Sequence, residues 1–180
     1  MPHVVTTTRL VLAEVPTPLG PMTAGATDAG ACLCEFNDRR ALPTERADLE
    51  RIFRTTFEPG TNDHLDLLTR ELAAYFAGTL RTFTVPLDTP GTAFERAVWS
   101  KLLEIPYGST TSYGAIARDL GNPGAPRAVG RANGHNRLAI VVPCHRVIDS
   151  SGALHGYGGG LERKRWLIDH EACHSGAYLI

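Results

Sequence analysis

The sequence predicts an α/β chain of the α+β kind, with a small antiparallel sheet and a helix first and a mostly helical second half built around a helix-turn-helix. Three observations predict it. Short apolar stretches broken by Pro- and Gly-rich turns fill the first 36 residues. Clear helical spacing of apolar residues begins only at Asn62, and two short helical segments flank a Gly121-Asn122-Pro123-Gly124 breaker. With 180 residues, 43% of them hydrophobic, the chain can bury a core and is not expected to be disordered.

The elements follow in order. Arg9 to Val15 and Ala31 to Phe36 read as strands, separated by the turn-rich Pro16–Pro21 and the Asp28-Ala29-Gly30 turn. Leu42 to Gly60 is charged and only weakly helical. From Asn62, a capping residue, Leu65, Leu68, Leu72, Tyr75 and Phe76 recur at helical spacing until Gly78. Thr82–Leu87 is strand-like, and Asp88-Thr89-Pro90-Gly91 reads as a linker between domains 1–88 and 89–180. Thr92 with Glu95 forms a capping box, behind which Phe94, Val98, Leu102 and Ile105 line one face until Pro106. Ser112 caps a short helix over Tyr113–Leu120, and Ala125–Ala132 forms the next. The apolar run Leu138–Val142 is β-rich, and Leu161–Glu171 reads as a last helix with Trp166 and Leu167 inward.

Charge and composition narrow the function classes. No run of about 18 apolar residues is present, and the N-terminus lacks a basic start followed by an apolar stretch, so neither a membrane span nor a secretion signal is expected. Four cysteines are too few for a disulfide scaffold and suit a reducing, cytoplasmic location. The net charge of −1 hides an asymmetry, with −4 over residues 1–90 and +3 over residues 91–180. The basic half holds the helix-turn-helix, which keeps a polyanion partner open. Its second helix is made of Ala125, Ala128, Val129, Gly130 and Ala132, with only Arg127 and Arg131 reaching far. Such a helix either packs tightly in a core or lies in a narrow groove with its arginines on phosphate or base stack.

The chemistry concentrates at Asn133-Gly134-His135-Asn136-Arg137 and Pro143-Cys144-His145-Arg146-Val147. Cys144 is open to two readings, a small buried hydrophobe or a nucleophile whose proton a base such as His145 accepts. Gly156-Tyr157-Gly158-Gly159-Gly160 can bring backbone N–H groups close to a ligand, but matches neither a P-loop nor a dinucleotide fingerprint. Glu171 could orient a histidine.

Taken in order, Tyr107-Gly108…Ser112-Tyr113, Arg127-Ala128-Val129-Gly130, Pro143-Cys144-His145-Arg146-Val147 and Gly156-Tyr157-Gly158-Gly159-Gly160-Leu161 resemble the O6-alkylguanine-DNA alkyltransferases over residues 91–180. The resemblance implies a ribonuclease H-like N-terminal domain and a winged helix-turn-helix-like C-terminal domain. It implies minor-groove binding of duplex DNA containing O6-alkylguanine, with O4-alkylthymine as a further substrate, base flipping, and irreversible transfer of the alkyl group to Cys144 in a single turnover. By matching position, His145 would deprotonate Cys144 through a water, Glu171 would orient His145, and Asn136 would brace the turn. Arg127 would fill the vacated stack, beside Ala128, Gly130 and Arg131 on the same helix. Tyr113 would press on a phosphate and contact the flipped base. Val147 and Cys144 backbone groups would read the guanine amino edge, the Gly158 N–H would approach O6, and Tyr157 would wall the pocket. The protein would be a monomer in solution with scope for cooperative assembly on DNA, and would need no cofactor and no metal.

Two departures bear on this. Arg137 stands where most relatives have Pro, which either loosens the turn or adds a phosphate contact. Cys32, Cys34, His3 and His64 lack zinc-finger spacing, so no zinc site is expected. Two other functions compete: a non-catalytic lesion-binding relative, which would lack the acceptor Cys, and a cysteine hydrolase, which leaves the DNA-facing helix unexplained.

Overall fold

A computed structural model describes residues 8–176. Four strands, β1 (Leu10–Val15), β2 (Met22–Ala26), β3 (Ala31–Phe36) and β4 (Phe57–Pro59), form one sheet in the order β3-β2-β1-β4. β1, β2 and β3 are the expected antiparallel meander, whereas β4 joins β1 in parallel. Two helices cover the sheet. On one face α2 (Asp63–Phe76) buries Leu65, Leu68, Leu72 and Tyr75 against Val11, Val15, Ala24 and Cys34. On the other, α1 (Leu42–Phe53) packs Leu42 and Leu49 on Leu10, Cys32 and Leu33. Along β1 the two sets alternate with the ordinary period of two, whereas in β3 the consecutive Cys32 and Leu33 both join the α1 side, opposite a register irregularity at Gly25/Ala26.

The weakly helical stretch after Leu42 is therefore a full helix: its apolar face is narrow, and tertiary packing supplies what local patterning lacks. Conversely, Thr82–Leu87 does not form a strand; only Leu87 makes an isolated bridge, to Ala31. The caps follow the local rules. Asn62 accepts from Leu65 N–H at 3.0 Å, Thr92 and Glu95 form the reciprocal box, and Ser112 accepts from Ala115 N–H at 3.1 Å.

The second half carries α3 (Ala93–Leu103), the short strand β5 (Thr111–Ser112), α4 (Tyr113–Asp119), α5 (Pro126–Gly134), β6 (Val147–Ile148), paired in parallel with β5, and α6 (Leu161–His174). Phe94 and Trp166, expected inward, are both surface-exposed. Trp166 stacks instead on His170 and leans on Phe76. α4 and α5 form the helix-turn-helix. One continuous apolar core runs from the sheet through Val98, Leu102 and Val129 to Leu167. Among the described residues no helix is long and apolar enough to cross a membrane.

Leu138–Val142 is a buried turn and not a strand. It lies along the outer edge of β3, with Cys34 N–H donating to Arg137 O and Ala139 N–H to Cys34 O, both at 2.8 Å. Apolar composition marks burial here, not extension. The sheet edge thus sets the position of the residues that follow.

Candidate active site

Asn136 holds that turn from within. Its Oδ1 accepts from Leu138 N–H at 3.0 Å, and its Nδ2 donates to Val142 O at 2.9 Å and Leu138 O at 3.3 Å. Ile140 sits at φ 73°, a left-handed conformation costly for a β-branched side chain. The strain is tolerated because Asn136 and the β3 edge over-determine the turn. Pro143 then leads into a single 3-10 turn, Cys144–Arg146, every residue of which is buried.

The two neighbours of Cys144 converge on one carboxylate. Glu171, on α6 and 1% exposed, accepts from His145 Nε2 at 2.6 Å and Tyr75 Oη at 2.8 Å through Oε1. Arg146 grips both its oxygens, Nε to Oε2 at 2.8 Å and Nη2 to Oε1 at 3.1 Å, and Gly108 N–H adds a bond to Oε2 at 3.1 Å. Arg146 Nη1 donates onward to Ile105 O at 2.7 Å. Burial opposes charge on Glu171, but His145 and Arg146 together overcome it and hold its carboxyl at about 2. Burial lowers the His145 pKa despite Glu171, so the ring is neutral at physiological pH. With Nε2 directed at a carboxylate the proton resides there, leaving Nδ1 as the basic nitrogen, which has no hydrogen-bond partner among the described residues.

Cys144 is 6% exposed. Burial pushes its thiol up to about 11, while a hydrogen bond from Asn136 and the charges of Arg39 and Lys164 pull the other way. The resting group is a thiol whose activation requires a base.

The remaining expected residues lie on α4, α5, β6 and the loop before α6. Tyr113, half-buried at the start of α4, lies against α5 at Gly130 and donates to His155 O at 3.4 Å. On α5, Val129, Ala132 and Asn133 face the core, while Arg127 and Arg131 are exposed on the opposite face; Ala128 and Gly130 are half-buried between them. Asn133 Nδ2 reaches Cys144 O at 3.5 Å, and Trp99 Nε1 donates to Ala132 O at 2.8 Å, fixing α5 over the acceptor turn. Gly158 is exposed, Tyr157 is half-buried, and the electrostatic influence of Cys144 reaches the Tyr157 phenol. Val147 O accepts from Lys164 Nζ at 2.6 Å.

Several members of the site were not singled out in the sequence. Tyr75 was assigned only to the core. Arg146, named there only within its motif, pairs with Glu171. Lys164 hides in a basic run, fully buried, and donates to Val147, His155 and Gly156 carbonyls.

Arg137 is not a loose end. Its Nη1 donates to Pro90 O at 3.0 Å, joining the acceptor turn to the segment before α3. Replacing Arg137 with Pro should therefore leave alkyl transfer unchanged and lower stability by about 1 kcal/mol, the net worth of one hydrogen bond. Thermal melting alongside transfer rates checks this; a collapse in rate at unchanged stability would contradict it. Of the four zinc candidates, His3 lies outside the described residues, while Cys32 and Cys34 are buried in β3 and His64 bonds Asp28 O. Among the described residues no group of three or more metal-ligating side chains converges.

Known proteins resemble the chain over both halves. Residues 93–173 match the family model for the 6-O-methylguanine DNA methyltransferase DNA-binding domain. The methylated-DNA–protein-cysteine methyltransferase of Mycolicibacterium paratuberculosis is 61% identical over 109 residues, a match covering 61% of this chain and 66% of that protein. Its namesake from Methanosarcina acetivorans is 41% identical over 157 residues, covering 86% of this chain and 93% of the relative. Among solved structures, Mycobacterium tuberculosis OGT in complex with DNA superposes with a TM-score of 0.81 at 43% identity, covering 91% of this chain and 94% of that one. The O6-methylguanine-DNA methyltransferase of Pyrococcus kodakaraensis superposes at 0.64 with 28% identity, covering 90% and 98%. With a near full-length relative above 40% identity and the same two-part fold, the chain belongs to the methylated-DNA–protein-cysteine methyltransferase family.

Proposed function

We propose that this protein repairs O6-alkylguanine in duplex DNA by moving the alkyl group onto Cys144, once per molecule. The observation that carries the reading is a buried thiol beside a neutral His145 whose other nitrogen is fixed by Glu171, under a helix with two free arginines. The Sγ proton passes through a water to His145 Nδ1, and Glu171 stabilises the imidazolium. Sulfur attacks the alkyl carbon in line, the C–S bond forms as the C–O6 bond breaks, and the electron pair stays on the guanine. The Gly158 N–H and the Tyr113 hydroxyl assist that departure by hydrogen bonding, and the guanine anion recovers the proton from the His145 imidazolium through water, which returns His145 to its neutral form. A thioether is a poor leaving group, so the cysteine is not regenerated.

α5 enters the minor groove, its small residues allowing close approach, and Arg127 occupies the space of the flipped base. Arg131 contacts the backbone, Tyr157 walls the pocket, and Val147 O reads the guanine amino group. Residues 1–88 and 89–180 serve as scaffold and DNA-binding unit. The free protein is a monomer that works in the cytoplasm, and neighbouring copies can assemble along damaged DNA.

The deciding experiment incubates the protein with duplex carrying O6-methylguanine and weighs the Cys144 peptide. It should gain one methyl per chain, and Cys144→Ala should gain none; an unmodified Cys144 after full exposure overturns the reading. Turnover of an ester or amide reporter without DNA would favour a cysteine hydrolase. Arg127→Ala should slow repair of duplex by about tenfold or more while leaving transfer from free O6-benzylguanine unaffected, because only the duplex requires base extrusion. Equal losses on both substrates would refute that role.

A further inference from the structure

The pocket loop Gly156–Gly160 contains four glycines that serve two different needs. Gly156 and Gly160 adopt positive φ, 47° and 90°, where glycine is favoured for its backbone freedom. Gly158 and Gly159 do not, and are needed for space. A Cβ on Gly158 would lie 1.6 Å from Arg39 Nη1, and one on Gly159 would lie 2.8 Å from the Phe36 ring. Phe36 ends β3 and Arg39 lies just past it, both in the N-terminal half, while Tyr157 Cε1 from the loop itself lies equally close to a Cβ on Gly159 at 2.8 Å.

Arg39 is not a mobile surface side chain. Its guanidinium lies 3.1 Å from Glu35 Oε1 and 2.7 Å from Glu45 Oε1, and donates to Gly134 O at 2.9 Å. Glu35 is completely buried on β3, Glu45 is buried on α1, and Gly134 ends α5. One planar fork thus joins β3, α1 and α5 and presents an edge to Gly158. Arg163, from the first turn of α6, completes the seat from the other side. It pairs with Asp38 at 2.7 and 3.0 Å, donates to Leu19 O and Gly159 O, and stacks 4.1 Å over Phe36.

We propose that Arg39 is a positioning residue of the acceptor pocket: held by Glu35, Glu45 and Gly134, it is the rigid seat that sets the height of the Gly158 segment over Cys144. The proposal rests on the repair reading above. It assigns the N-terminal half a task in the transfer step, because a Gly158 N–H displaced from the departing O6 no longer stabilises the leaving group. A lysine in place of Arg39 keeps a positive charge beside Glu35, whose carboxyl burial pushes up to about 8, and Glu45, but cannot span Glu35, Glu45 and Gly134 at once.

The test uses the full chain with Arg39→Lys and Arg39→Gln, and follows benzyl transfer from free O6-benzylguanine to Cys144. It also measures affinity for unmodified duplex and the iodoacetamide rate at the Cys144 peptide. Both variants should transfer about tenfold more slowly or worse, in line with the sensitivity of reactions to misplacement of about 1 Å. Duplex affinity should stay within about twofold in both variants, since it does not use the Gly158 seat. Iodoacetamide reactivity should stay within about twofold in Arg39→Lys, which keeps the charge that favours the Cys144 thiolate, and in Arg39→Gln should fall by less than transfer does. Hydrogen exchange at the Gly158 amide should accelerate in both. In a Gly158→Ala background, adding Arg39→Gln should cost little more, because the loop is already displaced. Wild-type transfer rates and unchanged Gly158 exchange in the variants, or fully additive losses with Gly158→Ala, overturn the proposal. Should Arg39→Gln not fold because two carboxylates lose their counter-charge, the triple Glu35→Gln, Glu45→Gln, Arg39→Gln replaces it with a neutral cluster and must show the same losses. If the wild-type protein accepts neither the benzyl group nor a methyl group from O6-methylguanine duplex, the repair reading fails, and the exchange measurement alone decides whether Arg39 seats the loop; if it accepts only methyl, the same comparison is made with the methylated duplex.

Discussion

Glu171→Ala should yield a protein that transfers no measurable alkyl group and melts far below the wild type. Five donors from four residues converge on this carboxylate, and none has another acceptor within the network except Arg146 through its separate Nη1 bond. Removing it strands a buried guanidinium, a penalty of about 3–5 kcal/mol. It also releases His145 from its tautomer, so the base that takes the Cys144 proton loses orientation and charge support together. Glu171→Gln separates the two effects, since it preserves shape and some hydrogen bonds while removing charge. The pH dependence has a definite sign. The folded carboxyl is held at about 2, below the ordinary carboxylate value, so its contribution is fully present above about pH 4 and is lost as pH falls toward 2. That contribution is about 3 kcal/mol, and the acid limb of the wild-type stability curve should flatten in Glu171→Gln. Equal acid limbs, measured by denaturant titration between pH 2 and 6 (roughly the window set by these pKa values), would show that Glu171 is not the titrating group.

What the sequence made legible was local. Caps at Asn62, Thr92 and Ser112, the breaker at 121–124 and the period of α2 each depend on residues within one turn, and the structure agrees with them. Errors arose where long-range packing overrides local preference. Leu138–Val142 looks extended because it is apolar, yet Asn136 folds it into a turn along β3. β4 is three residues long and charged in the middle, so only its pairing with β1 identifies it. Cys144, His145, Asn136 and Glu171 could be read from motif resemblance. Tyr75, Arg39 and Lys164 could not, because the contacts that tie them to the site, to Glu171, Gly134 and Val147, lie 96, 95 and 17 residues away and an inward lysine leaves no trace in composition.

Lys164 provides the second large effect. Its ammonium is fully buried at the start of α6 and donates to Val147 O at 2.6 Å, His155 O at 2.9 Å and Gly156 O at 3.5 Å. These carbonyls belong to opposite walls of the acceptor pocket, the strand just after Cys144 and the loop carrying Tyr157 and Gly158. Lys164→Met keeps the apolar stem and removes the ammonium, leaving the buried Val147 carbonyl without that donor at about 1–3 kcal/mol, while His155 O keeps the Tyr113 hydroxyl and Gly156 O lies in an exposed loop. Stability should fall and the walls should drift apart, slowing transfer by about a hundredfold, the scale expected for an ångström of misplacement. A second consequence follows from charge. Lys164 favours the Cys144 thiolate, so its loss raises the thiol pKa further and leaves less thiolate at any given pH. The iodoacetamide rate at Cys144, which rises with pH below the thiol pKa, should therefore shift to higher pH in Lys164→Met. Lys164→Arg should restore the charge effect without restoring transfer, because the planar guanidinium cannot occupy the point where three carbonyls meet. An unchanged profile in Lys164→Met would mean that Lys164 acts on geometry alone, whereas unchanged transfer would remove it from the pocket altogether.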